Sequence, residues 1–201
     1  LYPDASVRTI VSQWDSKKQS AGWSFGVTST KSGFKPRNLI LQLIGDGNKK
    51  DHGYEVIASD LRPELKKPYY AAVSVKFDET GAGTATFYLR NLSSTTDKLQ
   101  VAQKKFRRNK HYASKLAAVI GGRANIKEHA WDGLIDNVRL SNTALDEKDL
   151  VLSTNKTRPD TLALWRFTKG AFYRDESEHA NHLLEPHTDP PNPRRAALAD
   201  F

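Results

Sequence analysis

Hydrolysis of a glycosidic bond with retention needs two carboxylates about 5–5.5 Å apart. Next-but-one residues of a strand supply that spacing, so E-x-D-x-E is the pattern to seek, and the sequence does not contain it. Asp136 stands alone in its segment, Asp78-Glu79 fall in a turn, and Asp175, Glu176 and Glu178 lie in a polar tail. Elimination on a uronic polymer asks instead for a Tyr or His as base and acid, with an Arg or Gln against the sugar carboxylate. Tyr69, Tyr70, Tyr88, Tyr112, His111 and Arg123 supply the residue types but no shared motif. Oxygen ligands for Ca²⁺ occur at Asp46, Asn48 and Asp51, a set equally suited to a hairpin turn. Glu178-His179 and His182 have the spacing of a transition-metal pair on a helix. Neither set is expected to hold a metal, and no cofactor is expected.

A basic run is the strongest ligand feature. Lys104, Lys105, Arg107, Arg108, Lys110 and His111 surround Phe106 and Tyr112. Arg forks take sulfate, phosphate or carboxylate through two parallel hydrogen bonds, and Tyr112 offers a stacking face. The competing reading is a solvated loop between two strands, with Phe106 buried and the cations serving solubility. Trp14, Trp23, Trp131 and Trp165 raise the question of a sugar platform.

The whole chain agrees with an anionic partner. Its 201 residues carry 31 Lys and Arg against 23 Asp and Glu, a net charge of +8. Such an excess draws acidic glycan, nucleic acid, anionic headgroups or an acidic protein surface. No nucleic-acid motif accompanies the charge, and no apolar run has the length of a membrane span. Nucleic-acid binding and membrane insertion are therefore not expected. The absence of Cys removes thiolate catalysis and disulfides together. The absence of Met even at position 1 suggests a processed product or a piece of a longer protein.

The elements that position these residues read as strands. Trp23, Phe25 and Val27 alternate with Ser24, Gly26 and Thr28, the two-residue period of a half-buried strand. Residues 39–44 (LILQLI) form a denser run, as for a strand covered on both sides. Gly45-Asp46-Gly47-Asn48 signals a hairpin and residues 54–59 the return. Residues 69–77 put Ala71, Val73, Val75 and Phe77 on one face, and residues 84–90 return. Short strands are predicted at 99–102 and 116–120, on either side of the basic run. Residues 134–141 alternate after an Asp132-Gly133 turn, Asp146 is placed to cap a short helix, and residues 162–167 are a last strand. No sustained helical period precedes Leu145, so the fold class is all-β, an antiparallel sandwich.

The block from Trp131 to Leu150, WDGLIDNVRLSNTALDEKDL, resembles the closing signature of laminin-G-like, concanavalin-A-like jelly-roll modules, F-x-G-x-I-D-E-V-R-I-x-N-R-A-L-S. Trp131, Gly133, Ile135, Asp136, Val138, Arg139, Asn142, Ala144 and Leu145 carry the match. Residues 11–27, YYAAVSVKFD, ATFYLRNL and AAVIGGRA resemble further strands of the family, together covering most of positions 9–150. The family's opening strands have no counterpart before Leu1-Tyr2-Pro3. Their W-x-F…D-S-x-x-x-N element resembles Trp165, Phe167, Asp175, Ser177 and Asn181 instead. The terminal RRAALADF resembles a segment of large secreted planctomycete proteins.

The resemblance implies a jelly-roll sandwich over 1–169 with a polar, Pro-containing extension over 170–201. It implies core positions for Trp23, Trp131 and Trp165, and Asp136 itself reads as a buried structural carboxylate satisfied by backbone donors rather than a catalyst. Fold alone does not fix chemistry. The expected function is a non-catalytic, extracytoplasmic binding module that takes carbohydrate, an acidic or sulfated glycan above all. The alternative is a structural module docking on an acidic protein surface, or on domains or chains that supply the missing strands. A polysaccharide lyase or hydrolase ranks third.

Overall fold

The alternating segments become ten strands in the computed structural model, which describes residues 5–17, 20–45, 54–107, 114–153 and 156–184. Among these residues there is no α-helix, and no helix long and apolar enough to cross a membrane. Residues up to Gly133 make one compact unit and those from Leu134 a second. The boundary thus falls inside the Trp131 block.

The first unit is an antiparallel β-sandwich. One sheet has the order β4 (Glu55–Ala58), β3 (Leu39–Ile44), β2 (Gly22–Thr28), β1 (Val7–Gln13), β8 (Val119–Ile120). The other has the order β5 (Tyr69–Phe77), β6 (Gly83–Asn91), β7 (Gln100–Phe106). Pairing Leu41 with both Phe25 and Ile57 puts one phase of the large sheet on a common face. That face packs on Ala85, Phe87, Leu89 and Phe106 of the small sheet, with Ala71, Val73, Val75 and Phe77 of β5 against the same core. A large side chain buried this way contributes about 1.5–3 kcal/mol.

The opposite face of the large sheet is also covered. Thr9, Ser12, Ser24, Ile40 and Gln42 are all 3% exposed or less. This explains why β3 is apolar in both phases, and it leaves the side chain of Gln42 in need of partners. A bulge between Thr9 and Val11 interrupts the β1–β2 register. There the backbone N–H of Thr9 donates to the His129 carbonyl, and Gly121 N–H donates to Ile10 O at 2.7 Å. Residues 121–131 are thereby tied along β1.

In the second unit β9 (Val138–Ser141) pairs with β10 (Thr161–Trp165). Asp175, 3% exposed, bridges back to β10 and accepts from the backbone N–H groups of Leu164, Ser177 and Asn181 and from Ser177 Oγ, at 2.6–2.9 Å. Burial pushes its pKa up, but the Ser177 hydroxyl and the three backbone donors outweigh it and hold the carboxyl below its ordinary value. Trp165 Nε1 donates to Asn181 O at 2.9 Å. The W-R-F…D-S…N element is therefore a hydrogen-bonded closure of β10.

Several local expectations need correction. β9 starts at Val138, not at Leu134, because Asn137 sits at φ 51° and breaks the extended run. Asp136 is exposed rather than buried, and it accepts from the backbone N–H and Nδ2 of its neighbour Asn137. β10 stops at Trp165, and Phe167 turns away at φ 52°. The short helix is a single 3-10 turn at Glu147–Asp149, and the Asp146 side chain makes no cap. Gly133 is not in the left-handed region expected for its turn. Its lack of Cβ instead admits the Trp131 indole, whose Nε1 would lie 3.0 Å from an added methyl. The hairpin residues 46–48 lie outside the described residues.

Candidate functional site

The basic run begins inside a strand rather than in a loop. β7 extends through Phe106, four residues beyond the predicted end, because its N–H and C=O groups pair with β6 along Gly83–Leu89. Strand alternation then separates the cations. Lys104 shares the phase of Phe106 and pairs with Asp60 at 2.6 Å. The hydrogen bond and charge of Lys104 hold the Asp60 carboxyl below its ordinary pKa. Lys105 points to the opposite face, in a row with Thr84 and Lys76. Phe106 is 2% exposed and edge-on to Phe77 at 5.4 Å, so it belongs to the core. Arg107 is exposed. Arg108, Lys110, His111 and Tyr112 lie outside the described residues. Of the seven predicted ligand residues, Lys105 and Arg107 are those described with exposed side chains and no ion pair among the described residues.

Tyr112 and His111 lie outside the described residues, and the other residues named for elimination do not meet. Tyr69 packs on the core side of β5, while Tyr70 and Tyr88 lie in the other phase of the small sheet. Arg123 belongs to the far face of the large sheet. The loop oxygens of Asp46, Asn48 and Asp51 lie outside the described residues. His182 Nδ1 accepts from the Asp175 backbone N–H at 3.1 Å, which turns that ring toward the β10 closure. Among the described residues no three His, Asp or Glu side chains are grouped to hold a metal.

The structure assembles a different set around Arg123. Val119–Ile120 pairs with β1, and Gly121 then turns the chain at φ 78°, a left-handed conformation that a Cβ disfavours. Ser12 Oγ donates to Gly122 O at 2.8 Å and Ala124 N–H to Trp14 O at 3.0 Å. These bonds aim Arg123 across the outer face of the large sheet. Its Nε donates to Thr9 Oγ1 at 3.1 Å, Nη1 to Ser16 Oγ at 2.7 Å, and Nη2 to Gln42 Oε1. Thr9 is on β1 and Gln42 on β3, so the guanidinium spans β2 over the small Ser24, whose hydroxyl meets that of Thr9 at 3.4 Å. Trp14 lies against the same group, its ring centroid 4.6 Å from Arg123 Cζ. Gln42 Nε2 donates onward to Tyr54 Oη at 2.7 Å, and Tyr54 tilts over Trp14 at 6.0 Å.

Electrostatically this centre is unusual. Arg123 is 5% exposed, and buried cations are normally matched by a carboxylate. Its hydrogen-bond partners among the described residues are all neutral. Asp15, 6% exposed, turns its oxygens to the Lys17 N–H, the Ser20 hydroxyl and the Lys17 ammonium instead. Burial pushes the Arg123 pKa down to about 10, so it remains charged at neutral pH. Ser16, which receives Nη1, is held at φ 67°. For a non-glycine residue that conformation costs about 1–2 kcal/mol, and such strain collects at functional sites.

In the sequence Arg123 stands out only as a residue type, and Gln42, Ser16 and Tyr54 do not stand out as site residues. One signal was present: Gln42 is the single polar residue in LILQLI, and a polar group in a strand covered on both faces must have partners. Trp14 is 3% exposed and Trp165 likewise, while Trp23 and Trp131 pack on the core. None of the four presents an open sugar platform. No family model, curated protein or solved structure matches the chain.

Proposed function

We propose that this chain is a non-catalytic binding module of laminin-G-like, jelly-roll type that engages acidic carbohydrate, and that it works as part of a larger extracytoplasmic protein. The observation that carries the reading is the unbalanced charge: +8 overall, with Lys105 in β7 and Arg107 just beyond its end, both exposed and joined to no carboxylate among the described residues. The strand fixes the backbone beneath Lys105, and Arg107 follows directly on its end, so less conformational entropy is lost when an anionic polymer docks. Arg108 and Lys110 extend the same charge in sequence, with His111 and Tyr112 beside them.

Affinity electrophoresis through gels carrying sulfated, uronic or neutral polysaccharide tests this. Retardation is expected in the acidic gels and not in the neutral one. Lys105→Ala combined with Arg107→Ala is expected to weaken it several-fold. Equal migration in all gels, with co-purification of an acidic protein, would favour the docking module instead. Turnover of any of the polysaccharides would overturn the non-catalytic reading.

A further inference from the structure

We infer that Arg123 is the anion-recognising centre of a second site, on the outer face of the five-stranded sheet, which takes the carboxylate of an acidic sugar. The inference rests on the carbohydrate-binding reading and narrows its ligand class from acidic glycans to uronates.

A guanidinium carries five N–H donors. Three are used here, on Thr9, Ser16 and Gln42. Each terminal nitrogen keeps a second N–H with no partner among the described residues. Two donors on one planar group match the two oxygens of a carboxylate. A sulfate would bring a third oxygen into the same buried surroundings without a donor for it, which is costly.

The surroundings favour a charged ligand over a purely structural arginine. The charge is desolvated by Trp14 on one side and by the sheet on the other, and no carboxylate of the described residues offsets it. An arriving anion therefore meets a cation whose field water does not screen. The guanidinium is also held in place before the ligand arrives, through three hydrogen bonds and one ring contact. Of the groups around the guanidinium, Ser16 is half-buried and Tyr54 is exposed. Tyr54 is 41% exposed and tilts over Trp14 at 6.0 Å, which places a second aromatic side chain near the cation.

Nuclear magnetic resonance on the ¹⁵N-labelled full chain tests this with sodium glucuronate as the probe, and glucose and sodium sulfate as controls. The Arg123 Nε–H and Trp14 Nε1–H signals are expected to shift saturably with glucuronate and to stay in place with glucose. Gln42→Glu supplies an internal carboxylate to Nη2 while preserving side-chain length. It is expected to keep the strand signals and to lower glucuronate affinity at least tenfold. Lys105→Ala with Arg107→Ala is expected to leave the glucuronate response intact.

Three results would overturn the inference: no shift in the native chain, an equal shift with sulfate, or an undiminished response in Gln42→Glu. If the native chain is retarded by sulfated polymer yet gives no glucuronate shift, the uronate site fails and the broader carbohydrate reading stands. If glucuronate shifts the Arg123 signal while no polymer is retained, polymer binding fails and the site stands.

Discussion

Taking away the Arg123 side chain would leave Thr9 Oγ1, Ser16 Oγ and Gln42 Oε1 without their donor in a buried layer. Each unmet buried acceptor costs about 1–3 kcal/mol, reduced where a hydroxyl rotates to another partner. Arg123→Ala is therefore expected to lower the unfolding free energy by about 2–4 kcal/mol in urea melts, and Arg123→Lys by less. His129 belongs to the same neighbourhood, with Nδ1 3.0 Å from Val7 O. Burial, then the positive charge of Arg123, lowers its pKa below the usual 6.5. A histidine depressed in the fold binds fewer protons folded than unfolded, so its contribution is fully present above 6.5 and is lost as pH falls from 6.5 toward the folded value. Stability should drop over that window in the native chain, and the drop should shrink in His129→Gln, as read from melts at pH 7.5 and 5.5.

At the scale of the element, β7 shows how one short strand divides a charged run. KKF reads as three consecutive members of a basic segment, yet the two-residue period sends Lys104 and Phe106 to one face and Lys105 to the other. Phe106 completes the core between the sheets, so Phe106→Ala should cost about 3–5 kcal/mol. A denaturant midpoint shifted with an unchanged slope would show that the loss is one of packing alone. The longer strands were legible because alternation is local: residues 39–44 and 69–77 fold over the ranges their pattern predicts. The Trp131 block was less so. Its alternation from Leu134 meets a left-handed Asn137, a backbone choice that the side-chain pattern does not encode, and Leu134 ends 78% exposed.

Across the whole molecule, charge acts at two depths. Exposed cations such as Lys105 and Arg107 are screened over a Debye length of about 8 Å at physiological salt. Retention on an acidic polymer should therefore weaken steeply between low and 0.5 M salt. The Arg123 response to glucuronate lies in a desolvated setting and should change far less over the same range. Parallel salt dependence of the two would place both ligands on the exposed cations. The sequence by itself determined the all-β class, most strands and the sign of the charge, because periodicity and composition are properties of neighbours along the chain. Only the tertiary structure decided which polar groups meet. Arg123 reaches Thr9 and Gln42 from 114 and 81 residues away, through a bulge, a left-handed glycine and a covering segment. Contacts of that range are set by how sheets and loops close over one another, and residue spacing carries no trace of them.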